Sequence, residues 1–292
     1  MSQYIKPPRT ITPEKPASFV GIILSVERHN DSPLSRSTII VDAVDERLDL
    51  DLVEKRVRSW NHRYLALLRI MTTSARFAQM AKLVGPDDPE GEEDLAGRWV
   101  QLDLVPVGKV SGPRAQVSRL GERGYEDIEL FTVADITDLG REPEEPRSLG
   151  AAARTGAALA GKLRKRRKLR GTRIATTAAR REIARLLRLV RQATFGKVVV
   201  HDVGHASFTT LMDSSGNPLL HFDAGWPIPM NWKTYPQREP NPPFTDLVVL
   251  SHWDWDHLHG YHRWMDLKSS FWVVPDQFLG PNGVVAERWP EV

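Results

Sequence analysis

The pattern of apolar and polar residues in the first half of the chain predicts a small α+β unit. Residues 18–26 and 37–44 are rich in β-branched side chains and are separated by a turn-forming stretch, so both are predicted strands. Residues 52–83 contain few helix breakers and carry apolar side chains three or four positions apart, which predicts a helix. Two further strands are predicted at 99–107 and 128–136. We therefore expect an α+β module of unknown role over residues 1–139.

A second group of strands is predicted after residue 195. Apolar, β-branched runs occupy residues 197–204, 207–212, 218–225 and 247–250. A polar turn containing Gly216 joins the second of these runs to the third, and a proline-rich loop with several aromatic residues precedes the fourth. This change in pattern indicates a separate domain over residues 196–292.

Composition limits the classes of protein that remain. The chain has 292 residues, of which 41% are hydrophobic and 26% charged, as in ordinary globular proteins. It has no cysteine, so disulfides, thiolate metal ligands and cysteine nucleophiles are excluded. No stretch reaches the roughly 18 apolar residues that would span a bilayer, and no secretory signal follows Met1. We therefore expect a cytoplasmic protein without a transmembrane segment.

Positive charge is concentrated between the two predicted domains. Residues 151–191 hold fourteen Lys or Arg and a single acid, Glu182, although the net charge of the chain is only +3. A linker rich in proline and charge is expected at 140–148, and an amphipathic helix at 178–190, which together make residues 140–195 a basic helical linker. The candidate nucleic-acid contacts are Lys162, Arg164, Lys165, Arg166, Arg167, Lys168 and Arg170.

Three roles for this basic segment remain open at the level of sequence. It could neutralise several phosphates of a nucleic acid, with binding that weakens as salt rises. It could lie on an anionic membrane surface, although the absence of aromatic residues in the run disfavours this role. It could also be a solvated linker that ends in an ordinary connecting helix.

The densest candidate chemistry directly follows the predicted strand at 247–250. Four potential metal ligands, His252, Asp254, Asp256 and His257, fall within six residues. Alternate positions of an extended segment place the first three on one side, and His257 joins them if a helix begins there. Imidazole nitrogens and carboxylate oxygens suit zinc, with manganese and iron as alternatives. The other interpretation is a polar surface loop in which the ligand spacing is accidental.

The order of these features resembles a known family. A strand, a turn, a strand ending in Asp223-Ala224-Gly225, and a further strand leading into His252-x-Asp254-x-Asp256-His257 resemble the first half of the metallo-β-lactamase fold. The aspartate in the second ligand position, with Asp202-Val203-Gly204 upstream, is similar to the hydrolase domain of the DNA-uptake competence protein. The resemblance covers about residues 196–275 and implies the first lobe of an αββα fold.

The resemblance also implies roles for individual residues. His252 and Asp254 would serve one metal ion, and Asp256 and His257 a second. Asp256 would also orient the catalytic water, and Asp223 would support the motif loop by hydrogen bonding. One or two zinc ions would activate water for attack on an ester, an amide or a phosphodiester.

The resemblance is incomplete, because no histidine follows His262 to supply the later ligands of that family. There are three explanations: the chain is truncated, a second chain or missing C-terminal half completes the site, or the domain is degenerate. We favour the first two. His259 and His262 could supplement the ligands, but a polar start to the next helix accounts for them more simply. His205 is a candidate for a position near the substrate.

Two functions follow from the sequence. The first is a metal-dependent hydrolase of the metallo-β-lactamase fold, with phosphodiesters as candidate substrates, that requires a further segment for activity. The second is a non-catalytic nucleic-acid-binding or assembly module that uses the basic segment 154–191.

Overall fold

A computed structural model describes residues 5–28, 36–49, 64–81, 95–121, 124–125, 127–141, 156–163, 177–252 and 254–275. Two β-sheets dominate these residues. No helix within these ranges is long and apolar enough to cross a membrane.

The first sheet closes on itself as a six-stranded antiparallel barrel. The six strands are β2 (Ala17–Arg28), β3 (Ser37–Asp45), β4 (Leu65–Thr72), β5 (Trp99–Pro106), β6 (Arg114–Gly121) and β8 (Ile128–Gly140). Their order in the sheet is β8-β5-β2-β3-β4-β6, and the pairing of β6 with β8 closes the ring. Two short strands extend the sheet: β1 (Thr10–Ile11) runs parallel to β8, and β7 (Gly124–Tyr125) pairs with β6.

Alternate residues of the barrel strands enter two different cores. One core draws on all six strands and fills the barrel with fully buried side chains, among them Phe19, Leu68 and Phe131. The intervening residues, such as Val20 and Leu67, pack outside the barrel against a helix at 156–163. Strands β3 and β4 are covered on both faces over most of their length, so their sequences are nearly continuous apolar runs and not alternating patterns.

The prediction of an α+β N-terminal module is therefore wrong, because the described part is a β-barrel. Residues 65–72, which lie within the predicted helix, form β4 between β3 and β6. Their apolar spacing looked helical because β4 is buried on both faces from Leu65 to Leu68. A short helix follows, α1 (Ser74–Met80), whose first turn is capped by the side chain of Thr73. The rest of the predicted helix, 52–63 and 82–83, lies outside the described residues.

The predicted basic helical linker also needs correction. Residues 156–163 form a helix, α2, that packs on the barrel through Ala157, Leu159, Ala160 and Leu163, all of which are buried. This segment is therefore part of a core and not a solvated connection. The next described helix is α3 (Thr177–Gln192).

The second sheet is mixed and has five strands in the order β13-β12-β11-β10-β9. Strand β10 runs antiparallel to both β9 and β11, whereas β12 runs parallel to both β11 and β13. The strands are β9 (Phe195–Val200), β10 (Phe208–Asp213), β11 (Pro218–Ala224), β12 (Leu247–Val249) and β13 (Phe271–Val273). Two four-residue helices, α4 (Trp255–Leu258) and α5 (Gly260–Arg263), lie between β12 and β13.

The expected αββα lobe of a metallo-β-lactamase fold is contradicted by this architecture. The described chain is mostly sheet, with a closed antiparallel barrel and few helices, and it has no αββα arrangement. The resemblance depended on the local order of strand, turn and ligand loop. Such order fixes neighbouring elements but not the layers that pack over them, so it did not identify the whole fold.

The five-stranded sheet is joined to the barrel beside the ligand loop. The backbone N–H of Tyr125, in the short strand β7 that pairs with β6 of the barrel, donates a hydrogen bond of 2.8 Å to Nε2 of His259. The ring of Tyr125 also meets that of Trp255 edge to face, with 4.7 Å between centroids. On the same side, Arg69 of β4 donates to the carbonyl of Met230 at 2.8 Å and to the side chain of Asn231. The helix that begins at Trp255 is therefore fixed to the barrel.

Candidate functional site

The ligand loop begins where a buried strand ends. Leu247 and Val248 of β12 are fully buried between β11 and β13, and the backbone N–H of Leu250 still donates to Val273 at 2.9 Å. Beyond Leu250 the chain leaves the sheet, and helix α4 begins at Trp255 after an extended Asp254. The apolar strand thus places the polar residues that follow it at the edge of a rigid sheet.

Asp223, at the end of the neighbouring strand β11, lies under this loop. Its side chain is almost wholly buried, and one carboxylate oxygen accepts the backbone N–H of Ser251 at 2.7 Å. The other oxygen accepts the hydroxyl of Ser251 at 3.0 Å. Asp223 has a φ of +55°, the only positive value at a described residue other than glycine. Aspartate tolerates this region better than most residues, and the conformation turns its carboxylate towards the loop.

Asp223 also holds His257, because Nδ1 of His257 lies 2.7 Å from the Oδ2 of Asp223. A carboxylate can only accept, so Nδ1 carries a proton, and in the neutral form of the ring the lone pair is on Nε2. That Nε2 lies 3.9 Å from Oδ2 of Asp256. A histidine held by a carboxylate through one nitrogen, with the other nitrogen free, is the usual arrangement of a metal-binding histidine.

His252 and Asp254 form a second pair next to the first. Nε2 of His252 lies 3.1 Å from Oδ2 of Asp254, and Nδ1 of His252 lies 2.8 Å from the hydroxyl oxygen of Ser251. The rings of His252 and His257 are in contact, with centroids 3.9 Å apart. The four predicted ligands therefore lie together as two imidazole–carboxylate pairs.

The pairs do not converge on one point in this arrangement. Among the described residues, no group of three or more His, Asp or Glu side chains has the geometry to hold a metal ion. The donor types still fit a divalent ion, because two imidazole nitrogens and two carboxylates are what zinc, manganese and ferrous iron accept. The side chain of His252 is 35% exposed and that of Asp254 is 61% exposed, so both have room to approach such an ion by side-chain rotation.

Electrostatics keep Asp223 charged. Burial alone would raise its pKa, but hydrogen bonds from the backbone and side chain of Ser251 and from His257 outweigh burial, and the pKa of Asp223 lies below its usual value. Asp223 is therefore an acceptor at neutral pH. A permanent negative charge beneath the histidines also favours a cation above them.

The turn between β9 and β10 is anchored to the start of helix α4. The backbone N–H of Ser207 donates to the carbonyl of Asp256 at 3.0 Å, and Gly225 donates to Ser207 at 2.7 Å. A side chain at Gly225 would overlap that carbonyl of Asp256, which explains the glycine. The backbone N–H of His205, on the same turn, donates to the hydroxyl of Thr234 at 3.1 Å. The side chain of His205 is exposed.

His259 and His221 are buried and bonded on both nitrogens. His259 accepts from Tyr125 through Nε2 and donates to the carbonyl of Trp226 through Nδ1 at 3.2 Å. Burial, with the nearby charges of His262 and Arg263, lowers the pKa of His259 to about 3. Burial and the neighbouring His201 lower the pKa of His221 to about 4, and its ring lies between Thr210 and the carbonyl of Pro243. Both histidines are structural groups.

The basic segment is described in part. Lys162 is exposed on helix α2, whereas Arg164, Lys165, Arg166, Arg167, Lys168 and Arg170 lie outside the described residues. Helix α3 presents exposed arginines at Arg180, Arg181, Arg185, Arg188 and Arg191. Leu186 is its only buried residue among the side chains described there, so the helix offers a largely open basic surface.

Sequence reasoning missed the part that Ser251 plays in the loop. Its hydroxyl oxygen lies within hydrogen-bonding distance of Asp223, His252 and His257. The only available signal was its position directly before His252, which by itself does not distinguish it from any loop serine.

Neither the protein-family comparison nor the search of curated proteins finds a match for this chain. Its function must therefore be argued from the residues themselves.

Proposed function

We propose that the chain is a metal-dependent hydrolase whose metal centre is formed by His252, Asp254, Asp256 and His257. The observation that carries the proposal is the 2.7 Å contact between the carboxylate of Asp223 and Nδ1 of His257. It directs the Nε2 lone pair of His257 towards the side of the loop that holds Asp256. Burying a charged carboxylate is unfavourable in free energy, and an ordinary surface loop gains little from having a histidine oriented in this way. A metal-binding histidine does require such a carboxylate partner.

Zinc fits this donor set best, as one ion or two, and manganese or iron are the alternatives. A bound ion would lower the pKa of a coordinated water towards neutrality. Asp256, whose side chain is about a third exposed, would accept a hydrogen bond from that water and orient it towards the substrate. Asp223 and Ser251 would keep the histidines in place throughout.

The proposed substrates are esters of phosphoric acid, with phosphodiesters first. The exposed arginines of helix α3 belong to the same chain and would attract a polyanion. The salt dependence of the Michaelis constant tests this assignment. The Michaelis constant should rise with ionic strength for a polyanionic substrate and remain unchanged for a small neutral ester.

The hydrolase proposal is tested with the full chain, supplied in turn with zinc, manganese and ferrous iron, on bis(p-nitrophenyl) phosphate and p-nitrophenyl esters. We expect metal-dependent release of nitrophenol that is lost in the double variant Asp256→Ala, His257→Ala. The matched control is Asp246→Ala, Asp266→Ala, which removes two exposed acids that have no role in the proposed site. Hydrolysis that survives the first double variant, or that needs no metal, would contradict the proposal.

A second candidate is a non-catalytic nucleic-acid-binding or assembly module. The open basic surface of helix α3 favours it, since an arginine-rich helix in which Leu186 alone is buried among the described side chains is well suited to contacting phosphates. Its test is a gel-shift titration of DNA and RNA at several salt concentrations. Binding should survive the metal-site double variant and weaken when Arg181, Arg185 and Arg188 are changed to Gln, or when residues 164–168 are neutralised. No retardation at low salt would remove this candidate.

A further inference from the structure

We propose that two copies of this chain pack face to face through one surface of the five-stranded sheet. The proposal is independent of the metal centre and rests on the register of the strands. Two neighbouring rows of side chains cross the sheet on this surface, which we call the open face. The first row consists of Val200, Thr209, Phe222, Val249 and Val273. The same strands, two residues away, supply the second row, which consists of Val198, Leu211, Leu220, Leu247 and Phe271.

The opposite face of this sheet is covered by a core. Thr210, His221 and Val248 alternate with the residues of the open face, and all three are buried. Val248 packs there in one cluster with Phe208 and Trp226. Because successive side chains of a strand point to opposite faces, the sheet has one face in a core and one face towards solvent.

The open face is apolar over its whole width. Phe222, on the central strand β11, is 46% exposed, and Val198, Val200 and Phe271 are exposed as well. Leu247 is the only residue of the two rows that is buried. Single exposed apolar side chains are common on protein surfaces, but a contiguous apolar patch of this kind marks an interaction surface.

The absence of charge on the open face favours a second copy as the occupant. None of the side chains in the two rows is charged, and Thr209 is the only polar one. A polyanion or an acidic peptide finds no cation in these rows, because the exposed arginines described above belong to helix α3. A second copy presents the same uncharged apolar face, so the pairing brings no like charges together.

The size and shape of the open face fit a symmetric pair of sheets. Five strands about 4.8 Å apart and roughly 10–20 Å long give a face of about 400 Å² per copy. The large ring of Phe222 lies between the smaller side chains of Thr209 and Val249. A two-fold axis between the sheets near Phe222 packs each ring beside the smaller side chains of the other copy.

The same area sets the strength of the pairing. About 400 Å² per copy is roughly half of a standard interface, so the dimer is reversible and forms at micromolar concentrations. Phe222 lies at its centre, where aromatic side chains contribute most to affinity. Val200, on the edge strand β9, lies at the rim, where a substitution has little effect.

The test is the mass of the full chain in solution, measured by sedimentation equilibrium from low to high micromolar concentration. We expect a monomer at the lowest concentrations and a dimer at the highest. Phe222→Lys and Val273→Lys, on different strands, should each weaken dimerisation at least about tenfold, because each buries a charge in the contact. The matched control is Val110→Lys, at a barrel residue that is 45% exposed, and it should dimerise like the unaltered protein.

Circular dichroism shows whether each variant is folded, and Val273→Lys carries the test if Phe222→Lys is not. A monomer at every concentration would overturn the proposal. So would a dimer that both folded lysine variants leave intact.

Cross-linking locates the contact without introducing a charge. The chain has no cysteine, so Thr209→Cys places a single thiol in the row of Phe222. Packed sheets lie about 10 Å apart, and a bismaleimide that spans roughly 10–15 Å should link this variant into dimers. Val110→Cys should stay unlinked under the same conditions. Equal linking of the two variants, or no linking of Thr209→Cys at concentrations where it is dimeric, would place the contact elsewhere and overturn the proposal.

Discussion

At the scale of single residues, the geometry of the loop depends on Asp223. Its buried carboxylate accepts three hydrogen bonds, from the backbone and side chain of Ser251 and from His257. Its backbone has a positive φ of +55° that an L-residue adopts at a cost. The carboxylate and the backbone conformation therefore contribute to stability with opposite signs, and two substitutions separate them.

We expect Asp223→Ala to lower the free energy of unfolding by about 2–4 kcal/mol, because three donors lose a buried acceptor. Asp223→Gly loses the same bonds but relieves the positive φ, so it should be about 1 kcal/mol more stable than the alanine variant. Urea unfolding of the three proteins measures both differences. A glycine variant that is less stable than the alanine variant would show that φ contributes no strain.

At the scale of elements, strand β12 supports the loop from within the sheet and β9 lies at the edge. Val248 of β12 is fully buried, whereas Val200 of β9 is 76% exposed. Among the described strands, β12 pairs on both sides and β9 pairs with β10 alone. The same substitution at the two positions should therefore have different effects.

Val248→Ala should cost about 2 kcal/mol of stability, from lost burial and the small cavity that it leaves. Val200→Ala should cost less than about 0.5 kcal/mol, since little of that side chain is removed from water. Urea unfolding of both variants and of the unaltered protein, analysed with a common m-value, gives the two losses of stability from the shifts in midpoint. Equal losses would mean that β9 is covered in solution.

The elements also show where prediction from sequence succeeds. Strands β2 and β3, and the strands leading to the ligand loop, follow from β-branched runs and their turns. Strand β4 does not, because a strand buried on both faces loses the alternation that distinguishes it from a helix. The ligand cluster could be found because its residues are adjacent in sequence. Ser251 and the conformation of Asp223 could not, because their roles arise only when β11 meets the loop after β12.

At the scale of the whole molecule, the pairing of β6 with β8 closes a barrel that no local pattern indicates. The expectation of an αββα lobe failed for the same reason, since layers are set by long-range packing. His259 joins the barrel to the five-stranded sheet: it accepts from Tyr125 and donates to Trp226, so only the neutral ring fits. Protonation of His259 would put a hydrogen on Nε2, directly against the backbone N–H of Tyr125.

This contact makes stability depend on pH. Burial lowers the pKa of His259 to about 3 and that of His221 to about 4, whereas both have a pKa near 6.5 when unfolded. Below pH 6.5 the unfolded chain takes up protons that the folded protein does not, so stability is complete above this pH and falls as the pH decreases. Each histidine should contribute a slope of about 1.4 kcal/mol per pH unit, down to its folded pKa.

His259→Asn should therefore lower stability at pH 7 and reduce this slope by about 1.4 kcal/mol per pH unit, because one of the two buried histidines no longer titrates. Unfolding free energies between pH 6.5 and 4.5 measure the effect. An unchanged slope would show that His259 is not held neutral.

The most direct test of the metal centre is calorimetric titration of the metal-free chain with zinc. We expect one or two equivalents to bind, with binding abolished in Asp256→Ala, His257→Ala and retained in Asp246→Ala, Asp266→Ala. Absence of zinc, manganese and iron binding, or equal binding by both double variants, would contradict the proposed centre.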